Sequence, residues 1–207
     1  MNLDKIVANE VAHELLKIGA VKLSPSKPFT WASGKLSPIY CDNRIVLSYP
    51  LSRTIVRDAF CKIIQKAKIE FDLIAGVATG AIAHGVLVAD VLNKPFVYVR
   101  DKPKGHGRQN VIEGEFHAGQ KVLVIEDGIS TGGSSLKAVE ALREAGCEVI
   151  CLISIFSYEF QVAKDAFEQA KCTYYSLSNF PSLIEMYKEN QLYTPEDIQF
   201  MENWYKS

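Results

Sequence analysis

Residues 122–134 read VLVIEDGISTGGS: four aliphatic side chains, two adjacent acids, then a run of glycines and hydroxyls. An uninterrupted aliphatic run of this length marks a strand buried on both faces. Gly128, Gly132 and Gly133, with Ser130, Thr131 and Ser134, suit a turn whose backbone amides open onto the start of a helix. Glu126 and Asp127 then stand at the carboxyl end of a strand, directly before an anion nest. Two carboxylates repel a phosphate, so a ligand that satisfies both halves must carry hydroxyl donors a few ångströms from its phosphate.

A ribose 5-phosphate has that layout. The acids accept hydrogen bonds from the 2- and 3-hydroxyls, and the loop from Gly128 through Ile129 to Ser134 holds the 5-phosphate. The loop lacks the lysine of a GxxxxGK[ST] P-loop, and the chain contains no GxGxxG dinucleotide fingerprint.

Outward from this stretch, strands and helices alternate. FDLIAGVA, FVYVR, VICLISIF and CTYYSLS read as strands, and AIAHGVLVADVLN, SSLKAVEALREAG and EFQVAKDAFEQAK as helices between them. In the helix after the loop Leu136, Val139 and Leu142 face inward and Gly146 ends it. Strands joined by crossover helices predict an α/β fold with a mostly parallel central sheet flanked by helices, with ligands bound beyond the strands' carboxyl ends. Before the sheet, Ile6, Val7, Val11, Leu15, Leu16 and Ile18 predict an amphipathic helix stopped at Gly19, and residues 49–68 predict another. Residues 20–48, with Pro25, Pro28, Gly34 and Pro38, read as a loop-rich subdomain of irregular strands. Two closing helices follow the sheet, the second with Thr194 as N-cap and Pro195 at its first position.

Length and composition set the bounds. A chain of 207 residues buries roughly 70% of the surface it would expose unfolded, which predicts one domain over residues 1–207. The net charge of −1 argues against a general grip on nucleic acid, so an anion site must be local. No apolar run long enough to span a membrane occurs, and the start MNLDKIVANEVAHELLKIG lacks a secretory apolar block, which predicts a cytoplasmic protein. Five cysteines without CxxC spacing predict buried thiols rather than a disulfide framework or a metal site. His13, His84 and His117 show no ligand spacing and read as non-catalytic.

The 122–135 stretch closely resembles the phosphoribosyl pyrophosphate (PRPP) motif of the type I phosphoribosyltransferases. Two further segments narrow the resemblance. RDKPKGHGRQNVIEGEF, residues 100–116, gathers Arg100, Lys102, Lys104, His106 and Arg108 without apolar periodicity, as a loop covering a polyanion would. Its KxHG element resembles the catalytic loop of orotate phosphoribosyltransferases, and FTWASGKLSPIYCDNR, residues 29–44, resembles their amino-terminal F-x-x-x-S-G-x-x-S-P-x-Y signature.

This resemblance implies the type I fold with residues 20–48 as a small base-binding hood, and transfer of ribose 5-phosphate from PRPP to orotate with magnesium. It implies PRPP contacts from Arg100, Lys104, His106 and the run Glu126, Asp127, Gly128, Ile129, Ser130, Thr131, Gly132, Gly133 and Ser134. Lys104, His106 and Asp127 take the catalytic roles; Ser130 touches orotate, and Arg44 is available for the orotate carboxylate through its planar donor fork. Magnesium rides mainly on PRPP, with no dedicated protein ligand set. A homodimer with shared sites is also implied, with no nucleic-acid or membrane partner.

The chain departs from the family pattern in three places. Ala32 stands where many members carry Lys, the loop in GVATGAIAHG lacks a Lys, and Asp101 follows Arg100 in place of a second basic residue. The PRPP motif alone also fits a purine or uracil phosphoribosyltransferase or a PRPP-sensing regulator. The first helix, with Asp4, Lys5, Glu10, Glu14 and Lys17, has no basic excess of the kind a DNA-binding regulator needs.

Overall fold

The computed structural model describes residues 4–31, 34, 36–102, 111–190 and 193–206. Its first helix, α1 (Lys5–Lys17), begins where the Asp4 carboxylate accepts the amides of Ile6 and Val7 at 2.9 and 3.2 Å, a cap worth about 1 kcal/mol. Val7, Val11 and Leu15 are buried as the periodicity predicts, but Ile6 is 79% exposed. At 3.6 residues per turn Ile6 falls on the side of the helix opposite Val11 and Leu15.

Residues 20–48 form short irregular elements. β1 (Val21–Leu23) pairs antiparallel with β4 (Ile39–Cys41), and β2 (Phe29–Thr30) with β3 (Leu36–Ser37). A 3-10 helix, Asn43–Ser48, is capped by Asp42, and α2 (Pro50–Lys66) starts with proline at its first position.

The sheet is built from β5 (Leu73–Val77), β6 (Phe96–Val99), β7 (Ile112–Glu113), β8 (Lys121–Ile129), β9 (Glu148–Ser157) and β10 (Tyr174–Asn179). Their order is β10-β9-β8-β5-β6-β7, all parallel except the edge strand β7. Between them lie α3 (Ile82–Leu92), α4 (Gly133–Glu144) and α5 (Gln161–Gln169); α6 (Phe180–Asn190) and α7 (Pro195–Lys206) close the chain. The sequence reading missed β7, which is two residues long and carries no alternation. It also ended β8 too early: the strand continues through Gly128 and Ile129, so the turn begins only at Ser130.

Both faces of the sheet are covered. Ile74, Leu123, Ile125, Ile153 and Leu177 pack with α1, α2, α3, α6 and α7 around Phe60, Val88, Leu183 and Met201. Leu73, Ala75, Val97, Val122, Val124 and Leu152 pack under α4 and α5 with Val139, Leu142 and Phe167. This double coverage explains why the strands read as continuous aliphatic runs. The chain runs from β5 outward to β6, then returns to place β8 on the other side of β5. The carboxyl ends of β5 and β8 therefore flank the point where the strand order reverses, where open α/β sheets bind their ligands.

Candidate active site

Strand alternation separates the two acids. Glu126 shares the parity of Val122 and Val124 and points under α4; Asp127 shares that of Leu123 and Ile125 and points to the other face. Glu126 is 3% exposed. Ser135 Oγ donates to its Oε2 at 2.7 Å, and the Asp127 amide donates to its Oε1 at 2.9 Å. Burial, and then the neighbouring Asp127 carboxylate, hold the Glu126 carboxyl well above the usual carboxylate range, against the pull of the Ser135 and amide donors.

Asp127 is only half-buried and faces a cleft of about 430 Å³. The cleft is lined by Cys41–Arg44 from the amino-terminal segment, Thr79 and Gly80 after β5, Gly128 and Ser130 at the end of β8, and Tyr158 after β9. Gly80 is required by closeness: a Cβ there would stand 2.0 Å from Asp127 Oδ2. A larger surface hollow of about 600 Å³ at α6 and α7, lined by Tyr193, Ile198 and the Lys188–Glu202 ion pair, shares no residue with this cleft.

The loop after β8 behaves as its composition suggests. Thr131, Gly133 and Ser134 are exposed, and Gly132 is buried at φ +82°, where a Cβ would meet Phe167 Cε2 at 2.8 Å. Gly132 is the N-cap of α4 without a side-chain cap, so the first amides of that helix point outward for an anion.

Arg44 lies at the cleft, but Asp42 already occupies part of its fork, accepting from Nε at 2.7 Å and from Nη2 at 2.8 Å. The pairing raises the Arg44 pKa, and the Arg44 guanidinium lowers that of Asp42. Arg100 sits one strand over, after β6, with its amide on the Val111 carbonyl and Nη1 3.4 Å from Glu113 Oε1. Lys104, His106 and Arg108, like Ala32, Ser33 and Lys35 of the amino-terminal signature, lie outside the described residues.

Asn43, which the sequence reading passed over, and His84, which it read as non-catalytic, stand beside Asp127. Asn43 is 3% exposed, and its Nδ2 donates to the Asp127 carbonyl. His84, on α3 and 2% exposed, has Nε2 3.3 Å from the Asn43 carbonyl. Burial lowers the His84 pKa, with opposing contributions from the Asn43 carbonyl and Asp127. Neither position carries a local signal; an asparagine between Asp42 and Arg44 reads as turn material, and a histidine in an apolar helix reads as core. Cys41, its thiol 3.3 Å from Asn43 Oδ1, and Tyr158 are both pushed up, above all by burial.

A carboxylate facing a cleft at the end of a central strand, followed by an open loop into a helix, has the layout a ribose phosphate would fit. Residues 44–182 match the family described as phosphoribosyl transferase domain, and the chain belongs to that family. Within it the chain groups with the orotate phosphoribosyltransferases. The enzyme of that name from Phocaeicola vulgatus is 53% identical over 195 residues, which span 94% of this chain and 92% of its own. Among solved structures, orotate phosphoribosyltransferase from Aeropyrum pernix has TM-score 0.77 at 28% identity, covering 86% of this chain and 98% of its own. Leishmania donovani UMP synthase has TM-score 0.81 at 26% identity; the match covers 96% of this chain and 42% of that one.

Proposed function

We propose that this chain transfers the ribose 5-phosphate group of PRPP to orotate, giving orotidine 5′-monophosphate and pyrophosphate in pyrimidine nucleotide synthesis. The observation that carries this reading is the Asp127 carboxylate open to the cleft, directly followed by the Ser130–Ser134 loop at the start of α4. In this reaction the bond from ribose C1 to the pyrophosphate oxygen breaks and one from C1 to a ring nitrogen of orotate forms. Positive charge grows on the ribose ring and negative charge on the leaving group, so positioning and charge stabilisation dominate.

Asp127 accepts the ribose hydroxyls and faces the developing cation. Glu126 acts from beneath, through Ser135 and the Asp127 amide, and reaches the sugar only by exchanging those bonds. The amides and hydroxyls of Ser130, Thr131, Gly132, Gly133 and Ser134 hold the 5-phosphate. Ser130 also borders the base, and Arg44 offers the orotate carboxylate its Nη1 edge or trades Asp42 for it. Residues 20–48 act as the base-binding hood of a single domain. Arg100 lies on the pyrophosphate side, and Lys104 and His106 clamp the departing pyrophosphate, with His106 as its candidate proton donor.

Among the described residues no group of three His, Cys, Asp or Glu side chains could hold a metal. The oxygen donors at the cleft, Asp127 with Thr79 and Ser130, fit a magnesium ion that keeps its waters and is carried by the substrate. Bound there, magnesium would neutralise pyrophosphate charge. No helix among the described residues is long and apolar enough to cross a membrane. A cytoplasmic location and a homodimer complete the reading. Loss of orotate absorbance with PRPP and magnesium tests it. The expected result is turnover of orotate, and turnover of a purine or of uracil instead would overturn the choice of base.

A further inference from the structure

The cleft is assembled from segments distant in sequence: Cys41–Arg44 at the start of the 3-10 helix, Thr79 and Gly80 just before α3, the end of β8, and Tyr158. Asn43 ties the first of these to β8, to Cys41 on β4 and to His84 on α3. Its Nδ2 donates to the Asp127 carbonyl, its Oδ1 accepts from Cys41 Sγ at 3.3 Å, and its main-chain carbonyl meets His84 Nε2 at 3.3 Å. Both the nitrogen and the oxygen of its side-chain amide are therefore engaged, and the residue is only 3% exposed. Strand β5 pairs with β8 only as far as Ile125. Beyond that residue the β8 backbone has lost one neighbouring strand, and here the Asn43 amide supplies a donor.

The Asp127 carboxylate has little room for error, because it lies against Gly80, where even a methyl group would overlap it. A shift of the Asp127 peptide would carry the carboxylate into that loop or away from the ribose. We propose that Asn43 is a positioning residue for the transfer reaction, holding the Asp127 peptide so that the carboxylate faces the sugar and coupling the amino-terminal segment to the reacting end of β8. The proposal rests on the reading of this cleft as the phosphoribosyl-transfer site.

Substitution of Asn43 by Ala and by Asp separates positioning from simple structural support. Asn43→Ala removes the donor and is expected to lower kcat about tenfold or more, the size of losing a buried hydrogen bond to an essential group. Asn43→Asp places a carboxylate among Asp42 and Arg44 on the same turn, Cys41 on β4, Asp127 on β8, His84 on α3 and Tyr158 across the cleft. Ionised, it repels the Asp127 carbonyl; protonated, it regains a donor. The rate of Asn43→Asp relative to the unsubstituted protein is therefore expected to rise at least about fivefold from pH 8 to pH 5, while that of Asn43→Ala stays flat.

Asn43→Ala within twofold of the unsubstituted kcat, or an Asn43→Asp ratio that does not change with pH, overturns the proposal. Failure of both variants to fold, read from melting curves, assigns Asn43 to the fold alone and also overturns it. No orotate turnover by the unsubstituted protein overturns this proposal and the functional reading together, whereas turnover with a flat ratio removes this proposal only.

Discussion

Gly80 and Asp127 are separated by 47 positions, yet one has no side chain because the other needs the space. Gly80→Ala is expected to displace the Asp127 carboxylate, lowering kcat/KM at least about tenfold with little change in Tm, since the atoms that must move are the end of a side chain. Unchanged kinetics would place the reacting charge elsewhere. Glu126 leads to a pH prediction. Folding raises its pKa above the ordinary value of about 4.3, so its favourable contribution is full below that value and is lost as pH rises towards the raised one. Above it an ionised Glu126 works against folding. Glu126→Gln cannot ionise, and its Tm relative to the unsubstituted protein should be lowest near pH 4 and rise towards pH 8; a fall over that range would contradict the assignment. At this scale the sequence brought forward residues that stand next to one another in the chain, Glu126 through Ser134, and the structure puts them at the end of β8 and the start of α4. Asn43, His84 and Gly80 were not legible, because their roles arise from neighbours 41 to 84 positions away.

The elements were read more fully than their ends. The central strands β5, β8 and β9 were visible because burial on both faces forces an aliphatic run, and the helices between strands because their buried stripes recur with the helical period. The failures lie where those forces are weak: two-residue β7 at the sheet edge, and the end of β8, where Gly128 and Ile129 look like turn but remain paired with β9. On the proposed reading the phosphate sits at the start of α4, whose entry depends on Gly132. Gly132→Ala forces a Cβ into the left-handed region and against Phe167. The backbone cost alone is about 1–2 kcal/mol, or a Tm about 2–8 °C lower for a chain of this size. The same change should raise the KM for PRPP, because the outward amides of Gly133 and Ser134 move with the turn. A KM unaffected by the substitution would remove the loop from phosphate binding.

For the whole molecule, the sequence announced the sheet and its helical layers but not how the amino-terminal segment is held against them. That attachment comes largely from the other end of the chain. Trp204 of α7 donates to the Leu36 carbonyl at 2.9 Å and Tyr193 to the Leu23 carbonyl at 3.3 Å, while Trp31 donates to the Ile39 carbonyl within the segment and Tyr205 fastens α7 to the Glu159 carbonyl after β9. Tyr158, Phe160 and Phe180 fill the space between. If the sites are shared between two copies, mixing inactive Lys104→Ala subunits with inactive Asp127→Asn subunits should restore activity, because one site in each mixed dimer then holds neither defect. Absence of recovery would mean that each copy works alone. The aromatic joint also has an optical consequence. Trp31 and Trp204 are the chain's two tryptophans, and their ring centroids lie 6.0 Å apart in an edge-on contact. Intrinsic tryptophan emission therefore issues from a single spot, so a change in its colour reports the parting of α7 from the amino-terminal segment while the sheet itself stays dark.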